Sequence, residues 1–352
     1  MPAHRGGQRL NAISSPQRNL RVAVFGAGAF GRNHLRVYRE LEHAGEAVTL
    51  AAVVDSNPSL AARAANEWQV PAYSSVEEFL AAQIRVDAAS VCVPTSAHSA
   101  LSFALLNAGI DVLVEKPIAS SVEEADELIG AAECGGRILQ VGHLERFNPA
   151  VIALGGVITK PLFFEIHRLS EFSPRSLDVD VVLDLMIHDI DIVLATIGQH
   201  PEEIRAAGIS ILTPKVDIAN VRLQFPGGCV ANLTASRVST ERVRKLRLFQ
   251  PHEYISLDYT GKDAVRFRVK PPMAIDFAPL PVTKEEPLRL ELEDFFRTML
   301  CRGTPRVTGA QALAAPTEEQ TSEMGFRYAD ERFRPCLVQT DAEVFQAHAG
   351  ID

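Results

Sequence analysis

The chain has 352 residues, of which 47% are hydrophobic and 22% charged, and its formal net charge is −9. This composition is typical of a globular protein with room for two domains, and the acidic charge argues against a nucleic-acid partner. The five cysteines show no CxxC spacing, so we expect neither a disulfide framework nor a zinc site. We find no apolar run of membrane-spanning length and no signal-peptide core, and therefore expect a cytoplasmic protein without a membrane partner.

The first part of the chain alternates short strand-like runs with longer helical runs. Residues 1–19 are polar and without periodicity, which predicts a disordered leader. From Leu20 to residue 142, β-branched runs such as LRVAVF and VTLAAVV alternate with amphipathic runs. This pattern predicts an α/β fold in which residues 20–142 form a doubly wound parallel sheet of the Rossmann type.

A complete GxGxxG follows the first predicted strand and opens the first helix. Such glycines permit a tight turn, close approach of a pyrophosphate and close packing of helix on strand. Asp55 ends the second strand, where a carboxylate can accept hydrogen bonds from both ribose hydroxyls, which favours NAD over NADP, although Arg63 lies nearby. A glycine turn without a dinucleotide is the alternative. The predicted cofactor-binding residues here are Gly26, Gly28, Ala29, Phe30, Gly31 and Asp55.

Two later strands end in polar residues at the same predicted sheet edge. Pro94 and Thr95 follow one strand, and Glu115 and Lys116 end the other, so we expect all four beside the nicotinamide. Taken alone, Lys116 is better interpreted as an exposed surface lysine. Thr95 is predicted to cap a helix over residues 96–108, in which His98 would contact nicotinamide or sugar.

The next helix is predicted to start at a capping box formed by Ser120 and Glu123. Beyond residue 142 the pattern changes to strand-like runs separated by turns, notably at residues 226–228. Residues 143–315 are therefore predicted to form an α+β domain with a large, open, mainly antiparallel sheet. Its outer face would serve subunit contacts in a homodimer or homotetramer.

Two segments near the end of the chain stand apart. The proline-rich residues 271–287 are predicted to form an extended loop, and residues 288–300 an amphipathic helix. Residues 316–352 form an atypical tail of weak periodicity, with Pro316 at the point where a helix would stop.

One apolar segment carries three polar side chains on a single helical face. In residues 181–194, Asp184, His188 and Asp191 are spaced i, i+4 and i+7. Burial of such groups is costly unless they are paired or bind a ligand, so this face predicts a site. The alternative is that Asp184 favours the N-terminal end of the helix and His188 is a satisfied core histidine.

Together, GAGAFG at residues 26–31, EKP at 115–117, GHLERFNP at 142–149 and Asp184 with His188 resemble the Gfo/Idh/MocA family of nicotinamide-dependent sugar and cyclitol oxidoreductases. The resemblance covers residues 20 to 312 and implies that Lys116, Asp184 and His188 line the substrate site. Histidine suits a general base, and lysine suits stabilisation of a developing alkoxide. We therefore assign His188 as base, Lys116 as oxyanion stabiliser and proton relay, and Asp184 as orienter of sugar hydroxyls, leaving open which of His188 and Lys116 accepts the proton. No metal is expected.

Longer segments resemble a narrower bacterial group, the UDP-N-acetylglucosamine 3-dehydrogenases, whose 3-keto product is passed to an aminotransferase for diamino-sugar lipid A. The resemblance directs attention to residues near the predicted cleft as substrate ligands, with structural salt bridges as the alternative. These residues are His143, Arg146, Asn148, His167 and Arg168. The basic run of residues 237–247 is interpreted as a solvated face that could instead meet a diphosphate or a neighbouring subunit.

Two other functions remain open at this point. The first is a dehydrogenase of a free sugar or of a cyclitol such as inositol. The second is a catalytically silent NAD-binding sensor or scaffold, against which the joint presence of Lys116, Asp184 and His188 argues.

Overall fold

A computed structural model describes residues 18–173 and 179–314 and the backbone of residues 338–341. Six parallel strands form the first sheet, in the order β3-β2-β1-β4-β5-β6. This is the Rossmann order, so the predicted fold of this part is confirmed. The strands are β1 Leu20–Phe25, β2 Val48–Val54, β3 Ala72–Tyr73, β4 Ala88–Val91, β5 Asp111–Glu115 and β6 Leu139–Gly142.

Five helices connect these strands, and two of them begin later than predicted. A 3-10 turn, Thr95–Ala97, precedes α4, so that helix begins at His98 and is not capped by Thr95. The hydroxyl of Ser121 caps α5 by accepting the Glu124 N–H at 3.2 Å, while the Ser120 N–H donates to the Glu124 carboxylate. The N-cap is therefore Ser121, one residue further along than predicted, and the Glu124 side chain accepts from the N–H before the cap, so the reciprocal pair of a capping box is not formed. The helices are α1 Ala29–His43, α2 Pro58–Trp68, α3 Val76–Ala81, α4 His98–Asn107 and α5 Val122–Cys134.

The second sheet has nine strands in the order β14-β13-β12-β11-β7-β10-β9-β8-β15. β7 and β10 are parallel and the other neighbours antiparallel, which confirms the mainly antiparallel sheet. The strands are β7 Phe163–Glu171, β8 Glu203–Ile209, β9 Ile218–Gln224, β10 Val230–Ser239, β11 Val243–Gln250, β12 Glu253–Asp258, β13 Asp263–Lys270, β14 Ala274–Pro279 and β15 Val338–Asp341.

The proline-rich segment is not only a loop, because β14 forms within it. This strand pairs with β13 at the edge of the sheet, where a strand tolerates proline because its outward N–H groups have no ladder partner.

The inner face of the second sheet packs against helical segments. These are α6 Pro149–Gly155, a π-helical turn Val182–Met186 and α7 Ile187–Ile197. Alternate strand residues such as Ile166 and Leu248 point into this core. The outer face instead carries a row of aromatic rings whose neighbouring centroids lie 5.0 to 5.9 Å apart, namely Phe163, Phe249, Tyr254, Phe267 and Phe277. Its use in subunit contacts stays a prediction.

After the second sheet the chain returns to the first. Helices α8 Pro287–Cys301 and α9 Gly309–Leu313 follow, and Leu292 and Phe295 of α8 are buried in one core with α1. The sequence-based division places this segment in residues 143–315, yet its apolar face packs on the Rossmann sheet. Among the described helices, none is both long and apolar enough to cross a membrane. The predicted leader and tail lie outside the described residues, except for residues 18–19 and 338–341.

Candidate active site

The glycine-rich turn leaves open space at its middle glycine and nowhere else. A Cβ on Gly26, whose φ is +95°, would lie 2.4 Å from the carbonyl oxygen of Cys92, and a Cβ on Gly31 would lie 1.8 Å from the carbonyl oxygen of Gly26. A Cβ on Gly28 would meet nothing within 4 Å. Gly28 is also the N-cap of α1 and brings no side-chain cap, so the helix N-terminus is open to a phosphate. Ala29 and Phe30 follow it at the surface.

Asp55 lies beside this turn and orders it. One carboxylate oxygen accepts the N–H of Ala27 at 2.6 Å, and the other accepts the N–H of Asn57 at 2.8 Å. The carboxylate thus stands between the glycine turn and α2, at the position where a Rossmann fold places the adenine-side ribose of a dinucleotide. Arg63, on α2, is exposed.

His98 ties together the loops that follow β4 and β5. Its ring is buried, with Nδ1 at 2.8 Å from the carbonyl oxygen of Pro117 and Nε2 at 2.9 Å from that of Val93. Burial lowers its pKa, and the two carbonyl contacts oppose this shift. The ring fixes the turn that contains Pro94 and Thr95, and contact with a ligand stays a prediction.

Glu115 takes part in a cluster that no sequence spacing revealed. Its carboxylate lies 3.1 Å from Nε2 of His34, and a Cβ on Gly142 would come within 2.7 Å of it. One possible ligand atom each of His34, Cys92 and Glu115 lies within 4.8 Å of the others. Burial raises the pKa of the Cys92 thiol well above its usual range, which disfavours the thiolate that binds metals.

Lys116 reaches from the first sheet to the π-helical turn. Its ammonium donates to the carbonyl oxygens of Leu183 at 3.1 Å and Asp184 at 3.3 Å. Burial lowers the pKa of Lys116, whereas the charges of Asp184 and Glu115 raise it. The peptide bond to Pro117 is cis. A π-helical turn is a frequent feature of functional sites, and here its carbonyl groups fix the lysine head.

His188 lies one turn after Asp184, at the start of α7. Burial, followed by the nearby charges of Lys116 and Arg168, lowers the pKa of His188 well below its ordinary value. The imidazole is therefore neutral near pH 7. Its buried Nδ1 has no hydrogen-bond partner among the described residues. A neutral imidazole has one unprotonated ring nitrogen, and that nitrogen can accept a proton from a hydroxyl.

Arg146 pairs with Asp191, the third polar residue of the apolar segment. Its guanidinium donates to both carboxylate oxygens, at 2.7 and 2.9 Å. His143 is buried next to them, with Nδ1 at 3.7 Å from Asp191. These contacts join α7 to the segment that follows β6. Arg146 therefore forms a structural salt bridge, the alternative to a substrate ligand.

Arg168 is fully engaged with carboxylates. It donates to both oxygens of Asp189 at 2.8 Å each and to Glu145 at 3.1 Å, and its guanidinium lies over the ring of Tyr259. Asn148 donates to the other oxygen of Glu145 at 3.0 Å and caps α6. Glu145 and Asp189 carry no signal in the sequence pattern, since only tertiary contact reveals their partners.

The basic run divides between the two faces of the second sheet. On β11, Arg244 shares the inner face with the buried Leu246 and Leu248. Lys245 alternates to the outer face, opposite His167 of β7 in register. Because strand residues alternate between faces, the position of Leu246 predicts that Arg244 lies on the opposite face from its basic neighbours on β11. The interpretation of the run as a solvated face used its charge and not this alternation.

Family comparisons match most of these elements. The description "Oxidoreductase family, NAD-binding Rossmann fold" matches residues 20–143, and "GFO/IDH/MocA C-terminal domain" matches residues 155–250. UDP-N-acetylglucosamine 3-dehydrogenase of Acidithiobacillus ferrooxidans is 35% identical over 320 residues, covering 88% of this chain and 98% of that enzyme. An inositol 2-dehydrogenase/D-chiro-inositol 3-dehydrogenase of Shouchella clausii is 34% identical over 206 residues, or 56% of this chain and 57% of that protein.

Solved structures agree with this relationship. The Acidithiobacillus ferrooxidans enzyme superposes with a TM-score of 0.78, covering 84% of this chain and 94% of that one. An Agrobacterium radiobacter oxidoreductase, solved with NAD+, L-tartaric acid and magnesium, has a TM-score of 0.79 at 16% identity and covers 93% of this chain and 99% of that one. At that identity the likeness concerns the fold alone.

Proposed function

Because the chain belongs to the Gfo/Idh/MocA family of oxidoreductases, we propose that it oxidises the C3 hydroxyl of UDP-N-acetylglucosamine to a ketone with NAD. The observation that carries the proposal is the contact of the Lys116 ammonium with the π-helical turn, one helical turn before the neutral imidazole of His188. The sugar nucleotide follows from a relative that matches this chain over nearly its own full length. The 3-keto product suits an aminotransferase, the class of enzyme that diamino-sugar lipid A synthesis requires next.

The glycine turn supports a dinucleotide. Gly28 leaves room for a pyrophosphate at the N-terminus of α1, where the helix dipole and open N–H groups favour anions. Asp55 supports NAD over NADP, because its carboxylate accepts from ribose hydroxyls and would repel a 2′-phosphate. When bound, the nicotinamide accepts the hydride from the sugar carbon.

The side chains of the site account for the proton. As the sugar hydroxyl loses its proton, the neutral imidazole of His188 accepts it. The Lys116 ammonium has three N–H groups and gives two to the carbonyl oxygens of Leu183 and Asp184, so the third can donate to the substrate oxygen. That bond strengthens as alkoxide charge develops and lowers the barrier. Asp184 orients the neighbouring hydroxyls of the sugar. The lowered pKa of Lys116 also suits it to relay the proton.

A second candidate is oxidation of a free cyclitol, supported by the inositol dehydrogenase relative of Shouchella clausii. That match spans little more than half of either protein, so it supports the hydride chemistry more than the substrate. Parallel assays with myo-inositol and UDP-N-acetylglucosamine separate the two candidates.

The test is NADH formation from NAD and UDP-N-acetylglucosamine, with a carbonyl trap to remove the ketone. Lys116→Ala and His188→Ala should each lower turnover by about 10²- to 10⁴-fold, the usual contribution of a positioned acid–base group, with NAD binding unchanged. Lys245→Ala is the matched control, because that lysine is exposed on the outer face of the second sheet. Near-wild-type turnover in either site variant would remove that residue from the mechanism.

A further inference from the structure

Two arginines lie directly opposite each other on the inner face of the second sheet. Arg244 of β11 pairs in register with Arg168 of β7, and the strand alternation places both side chains on the face that packs against α7. Like charges directly opposite on neighbouring strands repel each other. Such an arrangement requires compensating negative charge nearby.

Only one of the two guanidiniums receives that compensation. Arg168 makes a two-point contact with Asp189 and a third contact with Glu145. Arg244 comes no nearer than 4.0 Å to Glu145, whose two oxygens already accept from Arg168 and Asn148. Burial and the positive charge of Arg168 lower the pKa of Arg244. Both observations indicate that Arg244 has no closely paired carboxylate among the described residues.

The geometry of Arg244 also suits a ligand. Its Nε is buried and has no hydrogen-bond partner in the part of the chain that the structure describes, whereas its side chain as a whole stays 34% exposed. An arginine with a buried, unused donor and an open side can receive a ligand without breaking an existing ion pair.

Arg244 lies on the same side of the second sheet as the proposed base, His188. It lies opposite Arg168, which binds Asp189, the residue directly after His188, so Arg244 is on the side of the second sheet that faces the helix of His188. Exposed Arg242 adds a further positive charge beside Arg244. Other arginines on this side are engaged, Arg146 with Asp191 and Arg237 with the carbonyl oxygen of Val179.

We propose that Arg244 binds the diphosphate of the sugar-nucleotide substrate. The inference rests on the proposed function and deepens it, because it names the residue that distinguishes a sugar nucleotide from a free sugar. The planar guanidinium presents parallel donors that match two phosphate oxygens, and occupation of the site supplies the negative charge that the pair of arginines lacks.

The test compares Arg244→Gln and Arg244→Lys with Arg247→Gln. Arg247 lies on the same strand but on its outer face, where it pairs with Glu165, so its variant matches the change in charge. Arg244→Gln should raise KM for UDP-N-acetylglucosamine by about 10- to 100-fold with a much smaller change in kcat, as expected for loss of a contact present throughout the reaction. Arg244→Lys should recover part of the loss. Calorimetric titration with UDP should show the same order of affinities.

The outcomes separate the inference from the proposed function. Turnover of UDP-N-acetylglucosamine with equal KM in Arg244→Gln and Arg247→Gln would overturn the diphosphate site and leave the activity intact. If the wild type does not turn over this substrate, the proposed function fails, and the UDP titration decides the inference. UDP binding lost only in the Arg244 variants supports it, whereas equal binding or none overturns it. Arg244→Lys keeps the charge and tests the site even if the glutamine variant unfolds.

Discussion

Replacement of Arg168 by methionine distinguishes a structural arginine from a substrate ligand. The guanidinium is 2% exposed and donates to Asp189 through two nitrogens, each at 2.8 Å from its acceptor. Methionine keeps much of the apolar volume but leaves Asp189 as a buried charge without its partner. Breaking one side of such a pair costs about 3–5 kcal/mol, a large part of the roughly 5–15 kcal/mol that stabilises a folded domain.

The measurement is urea-induced unfolding of the wild type, Arg168→Met and the double variant Arg168→Met/Asp189→Leu. The double variant should be more stable than Arg168→Met, because it removes the uncompensated carboxylate. Recovery should remain incomplete, since Glu145 also loses the contact at 3.1 Å that Arg168 donates to it. The free energy of unfolding is compared at one pH and one salt concentration.

A different pattern would refute this reasoning. If Arg168→Met lost less than about 1 kcal/mol of stability while KM for the sugar nucleotide rose tenfold or more, Arg168 would be a substrate ligand and its ion pairs incidental. The diphosphate role would then pass from Arg244 to Arg168, as the sequence alone suggested.

Three further predictions concern the cofactor site and pH. Gly28→Ala should fold normally but weaken NAD binding by about tenfold or more, because its methyl group enters the space for the pyrophosphate. Gly31→Ala should instead lose about 1–3 kcal/mol of stability, because its methyl group would overlap the backbone. The prediction is contradicted if the two variants change the melting temperature and the NAD affinity to the same extent. Asp55→Asn should shift the ratio of NAD to NADP affinity towards NADP by about tenfold, measured by paired titrations, and an unchanged ratio would remove Asp55 from cofactor selection. Burial makes the pKa of His188 lower in the folded than in the unfolded chain, so its contribution to stability is full above the unfolded value of about 6.5 and is lost as pH falls below that value. His188→Gln should flatten this fall in the free energy of unfolding measured by urea titration, and an unchanged slope would contradict the prediction.

The features of the first domain that depend on neighbouring residues in the sequence were predictable from short sequence patterns. The alternation of strands and helices, the glycine turn and Asp55 are each encoded within a few residues, and the structure shows the expected sheet order. The contact between Lys116 and the segment of Asp184 became foreseeable through the family resemblance. Lys116 follows a strand of the first sheet and Asp184 lies in the π-helical turn 68 residues later, and no spacing connects them.

The partners of the arginines were not predictable in the same way. Arg146 and Arg168 were expected near the cleft as substrate ligands, whereas in the structure each binds a carboxylate of α7. Sequence shows that Asp189 and Asp191 are present without showing which cation each one faces. The π-helical turn was also unforeseen, since apolar periodicity does not distinguish it from a regular helix.

The two buried ion pairs explain how His188 is held. On a helix of 3.6 residues per turn, Asp189 and Asp191 lie about 100° and 60° to either side of His188. Arg168 binds Asp189 from the second sheet, and Arg146 binds Asp191 from the segment after β6. The helix segment that carries His188 is thus held by two contacts that come from different directions. Because these contacts also stabilise the fold, we expect Arg146 and Arg168 to position the proposed base, while Arg244 stays the proposed ligand of the anion.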